Sequence, residues 1–334
     1  MTGEAGVILA GDIGGTKTWL RLAAGTAGGL RTLHEQRFDS AAFDGLVPMI
    51  RELLAGLPQS GSAAPAIRSA CFGVAGPVSG RQASLTNLPW RVDADEIGRQ
   101  CGIPKVVLIN DFEAIGYGIE ALDAADIATL QAGRPVAGAP RAVLGAGTGL
   151  GVCFLVWGEG HYQVIPTEAG HVDFAPTDEL QMELLRFLQK RFGRVSCERV
   201  LSGPGLVSIF EFLLEAGPHQ LAPELAQALG SDAAAAISQA ALGGKDELAR
   251  QALQLFARIY GAHAGNLALT VLARGGVFVA GGIAPKIIEE LRAGEFMRAF
   301  CDKGRYVALQ STIPVHVVMN PQVGLLGAAM VASR

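Results

Sequence analysis

Two stretches of this chain share one pattern: an apolar strand, a glycine-rich turn with a threonine, then a second strand. In the first, Val7–Asp12 runs into Gly14-Gly15-Thr16, and Thr18–Ala23 resumes the strand. In the second, Arg141–Gly147 and Val152–Trp157 flank Thr148. A hairpin with a glycine turn is the local expectation for each, and Gly14-Gly15 alone reads as a type I′ turn. The two lie about one domain's length apart. A repeat at that distance predicts two similar α/β sheets, each offering one glycine turn to a shared cleft.

Other elements follow from period and punctuation. Residues 42–57 read as a helix, Ala70–Ala75 and Lys105–Ile109 as buried strands, and Val277–Ala280 as a strand entering Gly281-Gly282. Thr177 is the expected cap of a helix ending at Gly193. A long helix is expected over Asp246–Ala273, and a last one over Gly324–Ser333. With 334 residues, half of them hydrophobic and 17% charged, the chain can bury a core large enough for two domains. The expected partition is a smaller domain of residues 1–121 plus 315–334 and a larger one of residues 122–314.

Charge narrows the partners. A net charge of −4 provides no basic stripe, so nucleic acid is not expected. The five cysteines form no C-x-x-C pair and their number is odd, which argues against a disulfide framework or zinc knuckle and fits a reducing cytoplasm. Residues 1–6 lack the basic and apolar regions of a signal peptide, and the apolar run at Leu267–Ala284 is broken by Arg274 and a glycine pair. No membrane partner is expected.

Glycine turns suit phosphate because backbone N–H groups can converge on it with no Cβ in the way. Neither turn is a Walker A loop, so any nucleotide would be held by hairpin turns. Asp12 ends its strand beside the first turn. It is either a carboxylate near Mg2+, acting through water, or a strand-end Asp satisfying turn amides. Asn110-Asp111 falls beyond a strand end, where open α/β sheets gather ligands. Asp111 could accept a proton from a hydroxyl attacking a γ-phosphate. Asn110-x-x-Glu113 equally reads as a helix cap with its reciprocal Glu. Both roles are compatible, with Asn110 capping and Asp111 catalysing. Glu168-Ala-Gly-His171 could hold vicinal hydroxyls, although a lone turn histidine is usually structural. Glu198 by itself reads as a surface charge.

Seven segments in order resemble the glucokinases of the proteobacterial type, within the hexokinase/actin-like superfamily: AGDIGGT (Ala10–Thr16), GVAGP with LTNLPW (Gly73–Pro77, Leu85–Trp90), LINDFEA (Leu108–Ala114), LGAGTGLG (Leu144–Gly151), PTEAGHVDF (Pro166–Phe174), CERVLSGPG (Cys197–Gly205) and VFVAGGIA (Val277–Ala284). The resemblance covers nearly the whole chain. It implies a two-domain actin/hexokinase-like (ribonuclease-H-like) fold with a sugar cleft between the domains. It also implies a cytoplasmic homodimer that phosphorylates D-glucose at the 6-hydroxyl with ATP and Mg2+. Asp111 would be the general base; Asn110, Asp111, Glu168, His171 and Glu198 would bind the sugar. Gly11, Asp12, Ile13, Gly14, Gly15 and Thr16, with Gly147, Thr148 and Gly149, would hold the ATP phosphates. Asp12 would face Mg2+ through water, and Gly281 and Gly282 would lie beside the adenosine. Lys17 stands where many relatives carry Asn, and the zinc-binding cysteine cluster of the related repressor/kinase family is absent. Rival readings are a kinase for another hexose or an N-acetylhexosamine, and a non-catalytic actin-like ATPase or sugar-responsive regulator.

Overall fold

In the computed structural model, residues 6–26, 29–57, 65–85, 88–217, 221–230 and 232–334 are described. They form two compact units, one of Met1–Asp123 with Gln322–Arg334 and the other of Ala124–Pro321.

The first unit is built on a five-stranded sheet. β1 (Val7–Ile13) pairs antiparallel with β2 (Lys17–Thr26), which pairs antiparallel with β3 (Gly29–Asp39). Helix α1 (Leu46–Ala55) follows, and β4 (Ile67–Val74) then runs parallel to β1 on its other side. Three short strands, β5 (Val78–Ser79), β6 (Gln82–Ser84) and β7 (Arg91–Asp93), make a separate antiparallel sheet that the sequence pattern did not announce. After α2 (Ala94–Cys101), β8 (Lys105–Asn110) completes the large sheet parallel to β4 and enters α3 (Asp111–Gly118).

Alternation along β1 sorts its side chains between two cores. Leu9 and Ile13 pack with Leu20, Leu22, Met49, Ile50, Phe72 and Trp90 on one face. Ile8 and Ala10 face the other way, against Ala114 of α3 and Leu325, Ala328 and Ala329 of the C-terminal helix Val323–Ser333. A strand with covered faces must be apolar on both, which is why β1 reads as a continuous apolar run. The C-terminal helix approaches α3 so closely that a Cβ on Gly327 would stand 1.7 Å from the Ala114 carbonyl oxygen. This helix begins at Val323, whereas Val315–Val318, expected in the smaller domain, form a strand of the second unit. Val315 and Val317 are fully buried in the second unit's core, and their strand spacing leaves no helical stripe.

The second unit repeats the arrangement with one more strand. β9 (Ile127–Gln131) precedes the hairpin of β10 (Arg141–Ala146) and β11 (Leu150–Gly158), with β12 (His161–Thr167) beyond β11. Parallel strands β13 (Gly276–Ala280) and β14 (Val315–Val318) lie on the far side of β10, and β9 closes that edge. Helices α4 (Glu179–Phe192), α5 (Gly203–Ala216), α6 (Pro223–Ala228), α7 (Ala233–Leu242) and α8 (Glu247–Val271) come between β12 and β13. Asp178, not Thr177, caps α4: its side chain accepts the Gln181 N–H, while Thr177 Oγ1 accepts from the Gln181 side chain. The capping geometry favours the carboxylate one residue nearer the helix. Among the described residues no helix is long and apolar enough to cross a membrane.

Candidate active site

In the first unit the even-numbered positions of β1 put Asp12 on the face that meets α3 and the C-terminal helix. Asp12 pairs with Gly73 of β4 across the sheet. That glycine lets α3 close in: a Cβ there would lie 2.9 Å from the Ala114 Cβ and 3.6 Å from the Asp111 Cα. Asp12 Oδ2 would be 3.3 Å from a Cβ on Gly324, in the first turn of the C-terminal helix. Two carboxylates are thus drawn together at the carboxyl ends of parallel strands. The environment acts on Asp12 strongly: burial, and after it the charge of Asp111, raise its pKa from 3.8 to about 7.

Asn110 caps α3. Its Oδ1 accepts the N–H groups of Phe112 (2.9 Å) and Glu113 (3.3 Å), and its Nδ2 donates to the Gly76 carbonyl at 3.3 Å. Burial raises the pKa of Glu113, and a hydrogen bond from the Asn110 backbone N–H opposes that rise, so the reciprocal cap is present. Asp111, next in the chain, is half-buried, with Oδ1 accepting the Phe112 N–H at 2.9 Å. Asn110 is the N-cap, and Asp111 shares the Phe112 N–H with it.

The first turn is not the type I′ turn its glycines suggest. The register Ile13↔Thr18 leaves four residues in the loop, and neither Gly14 nor Gly15 has positive φ. Its carbonyls turn instead toward Ser40, a fully buried residue the sequence did not single out. Ser40 Oγ donates to the Gly14 carbonyl at 2.7 Å, and the Ser40 N–H donates to the Thr16 carbonyl at 3.0 Å. Thr18 and Ser40 hydroxyls meet at 3.0 Å beneath. Gly11 is walled in by Phe72 and Leu20, whereas Thr16 and Lys17 are exposed. Of the sugar-side segment Leu85–Trp90, Trp90 is a core residue, and residues 86 and 87 lie outside the described residues.

In the second unit the register Ala146↔Leu150 leaves Gly147, Thr148 and Gly149 as the turn. The Gly147 N–H donates to the Gly149 carbonyl at 2.8 Å, and the Gly203 N–H at the start of α5 donates to the Gly147 carbonyl at 2.8 Å. The buried Tyr260 hydroxyl accepts the Ala146 N–H at 3.0 Å, anchoring the base of the turn to α8. Gly281 and Gly282 follow β13 to the same place, where the Ile283 N–H donates to the Ala146 carbonyl at 3.2 Å.

Glu168, His171 and Glu198 also meet in this unit. His171 stands between the two carboxylates, Nε2 at 3.9 Å from Glu168 and Nδ1 at 3.9 Å from Glu198. Glu168 is 90% exposed and Glu198 only 30%. Glu198 is held from within, its Oε2 accepting the Leu150 N–H at 2.9 Å. A short helical turn, Cys197–Arg199, presents it, and the Ser202 hydroxyl donates to the Glu198 carbonyl at 2.8 Å while capping α5. Sequence reasoning missed Ser202 and Tyr260, because a serine and a helix-core tyrosine are common and their partners lie elsewhere in the chain.

The arrangement places Glu168, His171 and Glu198 beside one glycine turn in the second unit. In the first it supplies a carboxylate pair beside the other. A family model for glucokinase matches residues 9–334. A glucokinase of a Nostoc species is 46% identical, covering 98% of this chain and 99% of its own. A Yersinia pestis glucokinase is 36% identical, with 96% and 94% covered. The crystal structure of a glucokinase from an Antarctic psychrotroph superimposes with a TM-score of 0.83 at 31% identity, covering 98% of each chain. The likeness extends over all of the chain that carries the site, and the chain therefore belongs to the glucokinase family, the enzymes that phosphorylate glucose with ATP.

Proposed function

We propose that the chain transfers the γ-phosphoryl group of ATP to the 6-hydroxyl of D-glucose, giving glucose 6-phosphate and ADP, with Asp111 as general base. The observation that carries this reading is the position of Asp111, in the first turn of α3 just beyond the carboxyl end of β8 and close enough to Asp12 to help raise its pKa. Its carboxylate takes the O6 proton as O6 bonds to the γ-phosphorus. The bond from that phosphorus to the ADP oxygen breaks, and its electron pair leaves with ADP. Asn110, Glu168, His171 and Glu198 orient the remaining hydroxyls. The turns at Gly14–Thr16 and Gly147–Gly149 hold the phosphates with backbone N–H groups, and Gly281-Gly282 lies beside the adenosine.

Asp12 suits Mg2+. Its pKa of about 7 comes from burial and from the charge of Asp111, and a dication beside it offsets both effects. Mg2+ takes one or two carboxylates and otherwise binds water and phosphate oxygens, which matches what this unit offers. When bound, it neutralises charge on the β- and γ-phosphates. The five free cysteines support a cytoplasmic location. Val156, Trp157 and Ile165, exposed on the edge hairpin of β11 and β12, support a homodimer, to be tested by light scattering.

Asp111→Asn should lower kcat by about 10²- to 10⁴-fold while calorimetric glucose binding changes little. Retention of a tenth of the wild-type rate sinks the general-base role. Among hexoses, glucose should lead mannose, fructose and N-acetylglucosamine. Each misplaced hydroxyl leaves a polar group unpaired, at a cost of about 1–3 kcal/mol, or roughly 5- to 150-fold in kcat/KM. A best rate with N-acetylglucosamine overturns the choice of sugar and leaves the phosphate turns untouched.

A further inference from the structure

Leu150, the first residue after the second glycine turn, meets two of the segments assigned to sugar at its backbone polar groups. Its N–H donates to Glu198 Oε2 at 2.9 Å. Its carbonyl is faced by Gly170, in the Glu168–His171 loop, so closely that a Cβ there would lie 1.9 Å from the oxygen. The same carboxylate crowds the turn itself, since a Cβ on Gly149 would stand 2.5 Å from Glu198 Oε2. On the turn's other flank, the Gly203 N–H donates to the Gly147 carbonyl. The segment Cys197–Gly205 therefore meets the turn before and after its tip, and Glu198 brings a side chain to that contact.

We propose that Glu198 is a positioning residue that holds the Gly147–Gly149 turn in its phosphate-binding shape, beyond any contact it makes with sugar. This rests on the reading of that turn as an ATP-phosphate loop and of Glu198 as a sugar ligand. One carboxylate oxygen is committed to Leu150, and Oε1 lies 3.9 Å from His171 on the sugar side. A hydroxyl bound at Oε1 adds a second donor to an anion already fixed by the turn. Sugar and phosphate binding then share one hydrogen-bonded group, and linkage requires each ligand to change the affinity for the other by the same factor.

The decisive measurement is nucleotide binding with no sugar present, because a residue that only holds sugar does not affect it. Calorimetry with Mg2+ and a non-hydrolysable ATP analogue should show Glu198→Ala binding roughly 5- to 20-fold more weakly than wild type. Glu198→Gln keeps an oxygen for the Leu150 N–H, so it should stay within about 2-fold of wild type for nucleotide while losing glucose affinity. Glu198→Asp, whose shorter side chain draws the carboxylate back from the Leu150 N–H, should weaken analogue binding in the same direction and decides the case if Glu198→Ala does not fold. Wild-type analogue affinity in both Glu198→Ala and Glu198→Asp overturns the proposal. Unchanged glucose affinity in both Glu198→Ala and Glu198→Gln instead overturns the sugar-ligand reading beneath it.

Discussion

Asp12 places an acid with a pKa of about 7 inside a fold whose unfolded chain would titrate it near 3.8. The folded state therefore binds more protons through that interval. Stability attributable to this group falls as pH rises from about 4 to 7 and stays lowered above. Asp12→Asn removes the cost. Without nucleotide, the variant should melt a few °C above wild type at pH 8 and level with it at pH 4, by calorimetry at both pH values. A difference equally large at pH 4 would mean that something other than ionisation is involved. Turnover should nevertheless collapse, because stability and activity ask opposite things of this carboxylate. The sequence exposed Asp12 because a carboxylate between an apolar strand and a glycine turn is an unusual residue in an unusual place. It did not expose Ser40, whose partnership with Gly14 and Thr16 spans a whole strand hairpin and uses a residue type found everywhere.

The elements were legible where one residue type forces the geometry and obscure where several would serve. Strand-to-turn passages at Ile13, Asn110 and Ala146 follow from apolar runs stopped by polar or glycine residues. The three-stranded sheet of β5–β7 has strands too short to show a period, and Val315–Val318 could be placed only by its neighbours. Two glycines with similar sequence surroundings should respond very differently to substitution. Gly327→Ala drives a methyl to 1.7 Å from the Ala114 carbonyl oxygen, and backbone cannot yield cheaply. At least about 3 kcal/mol should be lost, a fall in melting temperature of roughly 4 °C or more. Gly282→Ala meets nothing within 4 Å and needs no left-handed backbone, so its melting temperature should match wild type. If that glycine lies beside the adenosine, its KM for ATP should rise alone. Equal melting of both variants would show that the helix crossing is looser than drawn.

At the scale of the molecule, the two sheets repeat one order: a meander of antiparallel strands, then parallel strands beyond the first strand of the hairpin. The spacing of the two glycine turns made that repeat readable. The chain is threaded so that Ala124–Pro321 is inserted whole into the other unit. A chain ended at Pro321 would lack Leu325, Ala328, Ala329 and Ala332, which line one of the first unit's two cores. It should bind a hydrophobic dye and resist soluble expression; a soluble truncate with a cooperative melt would show that the sheet stands without its helix. The threading also sets a timetable. Synthesis at about 5–20 residues per second takes roughly 10–40 s to traverse the insertion. Throughout that time the unit made first waits with an apolar seam open, and any chaperone that serves this protein meets it there, at the half of the molecule that was begun earliest and is finished last.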